Sequence, residues 1–99
     1  MIVEIKNEKI ELKQTMRSMM FFEKIQNKPF TIENITDVII YFYSCIIASK
    51  KDMDLDINDF FEWLDLNQNA FVDFNNWLTT EAEKTQQLSG TPSKKKRKK

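Results

Sequence analysis

One segment of the chain, Val38–Ala48, has no charged residue, and its apolar side chains would fall on every face of a helix. A helix that is apolar all round is normally buried on all sides or spans a membrane. The run is well short of the ~20 residues that a bilayer span needs. It predicts either the central helix of a small bundle or a surface that binds another molecule, and one helix can be both on different sides.

Before this segment, apolar and charged residues alternate, which is typical of strands. The alternation predicts a β-hairpin with strands Ile2–Lys6 and Lys9–Lys13 around a two-residue loop, Asn7-Glu8. Side chains two apart on a strand share a face, so Ile10 and Leu12 would lie together on one side of the hairpin.

Capping residues mark the first helix. Thr15 has the side chain of an N-cap, and the helix that it begins is expected to run to about Gln26. Asn27 tolerates the left-handed conformation of a C-cap, and Pro29 cannot continue a helix. Phe30 would then pack back onto the bundle as an anchor.

The same signals divide the rest of the chain into helices and a tail. The apolar helix would be capped by Asn34 or Thr36 and end near Ser49, with further helices at about Asn58–Leu66 and Ala70–Lys84. We therefore predict a mainly α protein: a helical domain of about four helices with an N-terminal β-hairpin (residues 1–88), then a disordered basic tail (residues 89–99).

Charge is distributed unevenly along the chain. Lys94–Lys99 are all basic, so the zero net charge of the whole chain leaves residues 1–93 with nine basic against 15 acidic side chains. An acidic body is not typical of a nucleic-acid-binding domain. The basic run itself can be read as a nuclear import signal, a nucleic-acid anchor or a solvated tail. Lysine is encoded only by AAA or AAG, so the run also implies an A-rich message, on which a ribosome can slip.

Missing residue types argue against an enzyme. The chain has no His, the usual general base and the commonest metal ligand, and its one glycine, Gly90, excludes Gly-rich phosphate loops. The single Cys45 lies inside the apolar run and is expected to be a core residue in a reducing compartment. The N-terminus has no signal-peptide pattern, so we expect neither secretion nor membrane insertion. Because the residue types that bind common cofactors are missing, we also expect no cofactor.

Carboxylate and amide residues between the third and fourth helices give one alternative. The segment Asp65–Asp73 has the oxygen spacing of a calcium loop, but Ala70 and Asn76 replace the required Gly and Glu. A degenerate EF-hand-like interaction module is therefore one alternative to a plain turn between helices.

Methionine and aromatic side chains are the candidate contacts for a protein partner, because such residues are enriched in interfaces. Phe21 and Phe22 are adjacent, as are Phe60 and Phe61, so the members of each pair point about 100° apart on a helix. One member of each pair is expected to stay partly exposed. The candidate partner-binding residues are Met19, Met20, Phe21, Phe22, Phe42, Phe60, Phe61 and Trp63.

The order of these pieces over residues 1–80 resembles the tail assembly chaperones of long-tailed bacteriophages. The likeness lies in a short hairpin running into Thr15–Ile25, the turn Asn27–Phe30, an apolar helix ending in Ala48, and the segments Ile57–Asp65 and Phe71–Leu78. The family often has Gly where this chain has Asn27, an αL-tolerant residue that can take its place.

The resemblance implies a non-enzymatic chaperone that binds and solubilises the tape-measure protein in the cytoplasm of the bacterial host. The tail-tube protein is a second candidate partner, and no residue inherits a catalytic role. Neither a membrane nor a nucleic acid is expected as partner of the folded part, although a basic-tailed nucleic-acid accessory protein is a further alternative. Self-association through Val38–Ala48 also stays open.

Overall fold

Two strands and four helices follow one another in the part of the chain that the computed structural model describes, residues 1–50 and 54–89, with side-chain surroundings up to residue 83. The elements are β1 (Ile2–Ile5), β2 (Glu8–Glu11), α1 (Met16–Gln26), α2 (Ile35–Ser49), α3 (Ile57–Leu66) and α4 (Gln68–Ser89). The protein is thus mainly α with an N-terminal hairpin, and this predicted fold class is confirmed.

The hairpin is present, but its loop differs from the prediction. The turn is Lys6-Asn7, not Asn7-Glu8, and Val3 lies opposite Ile10. Lys6 and Asn7 have φ values of 53° and 63°, as the two central positions of a type I′ turn require. The two loops differ by two residues in register, a shift that leaves every side chain on its original face. The alternation could therefore not distinguish them.

Both predicted caps of α1 are confirmed. The Thr15 Oγ1 atom accepts a hydrogen bond from the Ser18 backbone at 3.1 Å, and the Ser18 Oγ atom accepts one from the Thr15 backbone at 3.0 Å. This capping box satisfies donors that the first turn leaves unpaired. Asn27 ends the helix with a φ of 55°. Phe30 then packs edge-on against Phe22, with 5.2 Å between the ring centroids.

Helix α2 is the centre of the fold. Asn34 is its N-cap and accepts a hydrogen bond from the Asp37 backbone at 2.9 Å. It packs against α1, α4 and β2, and eight of its residues are buried. The interpretation of Val38–Ala48 as the central helix of a bundle is therefore confirmed.

Aromatic side chains connect the helices through the core. The Phe42 ring of α2 stacks on Phe74 of α4, with centroids 4.3 Å apart, and meets Phe60 of α3 edge-on at 5.4 Å. Tyr41 meets Phe22 of α1 and Phe74 at 6.2 Å each. Each of these five rings is 0% exposed, so the core holds α1, α3 and α4 against α2.

Helices α3 and α4 are joined by the single residue Asn67. Its backbone N–H donates to Leu64 and its side chain to Trp63, while its carbonyl accepts from Ala70, at 2.8–3.0 Å. The predicted calcium-loop-like segment Asp65–Asp73 is therefore helical on both sides of one linking residue. No loop of the EF-hand kind lies between these helices.

Polar contacts hold the hairpin against the helices. The Trp63 indole donates to the Glu4 carbonyl at 3.1 Å, and the Lys6 ammonium donates to the Asp54 carbonyl at 2.7 Å. The hairpin carries buried Val3 and Ile10 on one face, and these contacts keep that face on the core.

Within residues 1–50 and 54–89, no helix is both long and apolar enough to cross a membrane. Helix α4 is longer than predicted and includes Ser89, whereas the rest of the predicted disordered basic tail lies outside the described residues.

Candidate functional site

An apolar groove opens where α2, α3 and α4 meet, and we call it the α2–α3–α4 groove. It encloses about 360 Å³. Two of its side chains are largely open to solvent, Ile35 at 66% exposed and Val72 at 54%. The lining residues are Ile35, Ile39, Leu64, Asp65, Gln68, Phe71 and Val72.

Helical spacing explains why these side chains converge. Ile35 and Ile39 are four residues apart, so they lie on one face of α2. Phe71 and Val72 belong to the beginning of α4, which the one-residue linker at Asn67 keeps beside Leu64 at the end of α3. The groove is therefore built by rigid elements and not by a loop.

The apolar surface extends beyond the groove along α3. Phe61 is 40% exposed and lies one turn before Asp65 on the same face of α3. Leu66, the last residue of α3, is 85% exposed but lines a separate concavity beside the hairpin. Phe61 therefore adds exposed apolar surface next to the groove, of the kind that marks interaction sites.

The charge around the groove is negative. Asp65 is the only charged residue of the groove lining. Residues 54–83, which include α3 and the described side chains of α4, carry eight acidic residues and no basic one. Lys28, which precedes α2, is held by ion pairs with Glu33 and Asp37. An apolar floor with an acidic surround is the chemical character of this site.

Three of the predicted partner-binding residues lie in the core. Phe22, Phe42 and Phe60 are 0% exposed, so they cannot contact a partner on the surface of this fold, and the prediction is corrected for them. The reason is that each ring packs against another ring in the core: Phe22 contacts Tyr41, and Phe42 contacts Phe60. Their neighbours Phe21 and Phe61 are half-buried and exposed, as expected for adjacent aromatics.

The remaining predicted residues are spread over the surface. Phe61 lies beside the α2–α3–α4 groove. Met20 is 54% exposed on the outer face of α1, one turn from Met16, and Met19 is half-buried on the same helix. Trp63 is half-buried against the hairpin. The structure therefore does not bring the predicted set together into one site.

The residues that form the groove were not predicted as a site, although the sequence contains a signal for some of them. Val72 is not among the α4 residues that pack on the core, which are Ala70, Phe71, Phe74, Trp77 and Leu78. Apolar residues off the core stripe of their own helix would have been better candidates than adjacent aromatics.

Reactive chemistry has little support among the described side chains. Cys45 is fully buried, and this burial raises the pKa of its thiol to about 12. Among the described residues, no group of three or more His, Cys, Asp or Glu is placed to hold a metal ion. A larger concavity of about 550 Å³ lies between the hairpin and the α3–α4 linker, but its lining is mostly polar. What the groove can do is bury apolar side chains of another molecule.

Comparison with known proteins adds no relative, because no protein-family model, no curated protein and no solved structure matches this chain.

Proposed function

We propose that this protein is a non-enzymatic assembly chaperone of a bacteriophage tail, which binds apolar helical segments of the tape-measure protein and keeps that protein soluble. The observation that carries the proposal is the open α2–α3–α4 groove, where Ile35 and Val72 are more than half exposed although they share its lining with the buried Leu64. Another molecule that fills the groove would remove these side chains from water.

The tape-measure protein enters the proposal through the resemblance of residues 1–80 to phage tail assembly chaperones. Such a partner is a very long helical chain with apolar stripes that promote aggregation. A groove between helices is a common receptor for an amphipathic helix, whose apolar side chains recur on one face. Tails are assembled inside the infected bacterium, so the proposed place of action is the host cytoplasm.

The proposed binding is reversible without ATP. Full burial of a Val or Ile side chain contributes ~1.5–3 kcal/mol, and association itself has a large entropic cost. A groove with a few such side chains therefore gives modest affinity at each site. Many weak sites along one chain allow tail-tube subunits to displace the chaperone as the tail grows.

The alternative functions have less support. The EF-hand-like module depended on a loop over Asp65–Asp73, which is helical apart from Asn67. The nucleic-acid alternative depends on Lys94–Lys99, which lie outside the described residues. The charged residues within 54–83 are all acidic, which does not favour binding of a nucleic acid.

Co-expression with the tape-measure protein of the same genome tests the proposal. We expect the wild-type chain to keep that protein soluble and to copurify with it, whereas Ile35→Ser and Val72→Ser weaken both effects. Ile2→Ser is the matched control, because Ile2 is 66% exposed but lies on the hairpin outside the groove. A tape-measure protein that is indifferent to the wild-type chain would overturn the proposed function. An equal loss of solubility and copurification with Ile2→Ser would show that the groove is not the binding site.

A further inference from the structure

We infer that the α2–α3–α4 groove selects amphipathic helices whose apolar stripe is flanked by Lys or Arg. This inference rests on the proposed function, since it names the chemistry of the segments that the chaperone would bind. It follows from the combination of an apolar floor with an acidic surround.

The apolar lining of the groove determines that a bound helix must present an apolar stripe. Ile35 and Ile39 form one wall, Phe71 and Val72 the other, and no basic side chain is among the lining residues. An α-helix is ~10–12 Å across with its side chains, and it presents one apolar stripe through positions i, i+3, i+4 and i+7. Phe61, 40% exposed one turn before Asp65, extends the apolar contact along α3.

The acidic residues beside the groove determine which residues are favoured next to that apolar stripe. Asp65 lines the groove, and Glu62 is exposed one turn before it on α3, whereas Asp59 is ion-paired with Lys6 of the hairpin at 3.8 Å. None of residues 54–83 is basic, so neither α3 nor the part of α4 whose side chains the structure describes places a cation beside Asp65 and Glu62. Complementary charge beside an apolar contact favours one partner and disfavours partners of like charge. A helix with acidic flanks would be repelled.

Two other occupants fit the groove less well. The chain's own Lys94–Lys99 segment has the charge but no apolar side chain to fill the floor. The outer face of α1 in a second copy has both kinds of residue, since Met16 and Met20 lie beside Arg17 and Lys24. Binding of a second copy is therefore one of the outcomes that the experiment must separate.

The test uses the full chain and three labelled helical peptides of about four turns, which share one Leu/Ile stripe and carry Lys, Gln or Glu on both flanks. A fourth peptide has the Lys composition in scrambled order, without a stripe. Fluorescence anisotropy measures the affinity of each peptide for the wild-type chain and for Val72→Ser. Only binding that Val72→Ser weakens is assigned to the groove, which separates it from attraction of the Glu peptide to the basic tail.

We expect the Lys-flanked stripe to bind the groove about tenfold more tightly than the Glu-flanked one in ~0.05 M salt, with the Gln-flanked stripe between them. The difference should shrink at ~0.5 M salt, where exposed charges are screened. Asp65→Asn should reduce the preference for Lys. Glu11→Gln, which removes an exposed charge from the hairpin, should leave it unchanged.

The outcomes are distinguishable. Equal groove binding of the three stripes would overturn the charge selectivity and leave the proposed function standing. If Val72→Ser weakens the binding of none of the peptides, the groove is not the binding site, and the proposed function loses the observation that carries it. A chain that forms dimers which Val72→Ser dissociates has its groove occupied by a second copy, and this result would also overturn the inference.

Discussion

The Lys28 ammonium donates to the Oδ2 atom of Asp37 at 2.8 Å, although the Asp37 side chain is only 1% exposed. The same carboxylate accepts hydrogen bonds from the Gln26 side chain and the Glu33 backbone, so the end of α1 and the loop after it are tied to the first turn of α2. These donors satisfy a buried charge that would otherwise be strongly destabilising.

This arrangement predicts acid sensitivity. The Lys28 side chain and the other donors lower the pKa of Asp37 from 3.8 to about 2. The carboxylate therefore stabilises the fold fully above pH 3.8, and its contribution is lost as the pH falls through about 2. Asp37→Asn should be less stable than wild type at neutral pH, and the difference should narrow across this window. Urea denaturation at a series of pH values measures it. A constant difference between pH 5 and 2 would contradict the prediction.

The neighbouring positions Phe74 and Val72 should differ sharply in their effect on stability. Phe74 is 0% exposed and stacks on Phe42, so Phe74→Ala should cost ~3–5 kcal/mol of unfolding free energy. Val72→Ala is expected to stay within ~0.5 kcal/mol, because Val72 faces the open groove. Chemical denaturation of both variants measures the contrast. A Val72 variant as unstable as the Phe74 variant would mean that the groove is closed.

The hairpin turn can be tested with two adjacent residues. Asn7 has positive φ, which a β-branched residue adopts at a cost of ~1–2 kcal/mol, so Asn7→Val should destabilise the protein by about that amount. Glu8 lies in β2, where Glu8→Thr should change the free energy of unfolding by no more than ~0.5 kcal/mol. A cost of Glu8→Thr in urea denaturation that equals that of Asn7→Val would favour the Asn7-Glu8 loop instead, because Glu8 would then also need positive φ.

Cys45 should be inert while the protein is folded. Its pKa of about 12 keeps the thiol protonated at neutral pH, and its side chain is 0% exposed. A thiol-specific chromogenic reagent is expected to label it only through global unfolding, at a rate that rises with urea as the unfolding rate does. Rapid labelling of the native chain would show that α2 opens locally.

Local signals were sufficient to predict most of the fold. The caps depend on neighbouring residues, because a cap acts over one helical turn: Thr15 and Asn27 were identified, and Asn34 was one of two candidates with Thr36. The hairpin register was missed because the two registers share the same faces and both loops contain Asn7, so neither the alternation nor the αL preference of Asn7 separates them.

The site was harder to predict, because exposure depends on which elements meet. Phe42 and Phe61 are both aromatic residues in helices, yet one is 0% and the other 40% exposed. Phe42 lies in the uncharged run Val38–Ala48, which favours burial, but the exposure of each ring is decided by the packing of α2 against α3 and α4. The groove itself joins residues 35 and 72, which only the folded chain brings together.

The single linking residue Asn67 makes the length of the chain at this point as restrictive as the identity of a core side chain. One inserted residue would turn α4 by about 100° about its axis if the helix were kept continuous. Phe74 would then leave its place on Phe42, and Val72 would turn away from the groove. Homologues of this protein should therefore tolerate insertions in the loop between α1 and α2 more readily than at the α3–α4 linker, and a gap in an alignment at that position would mark a different fold.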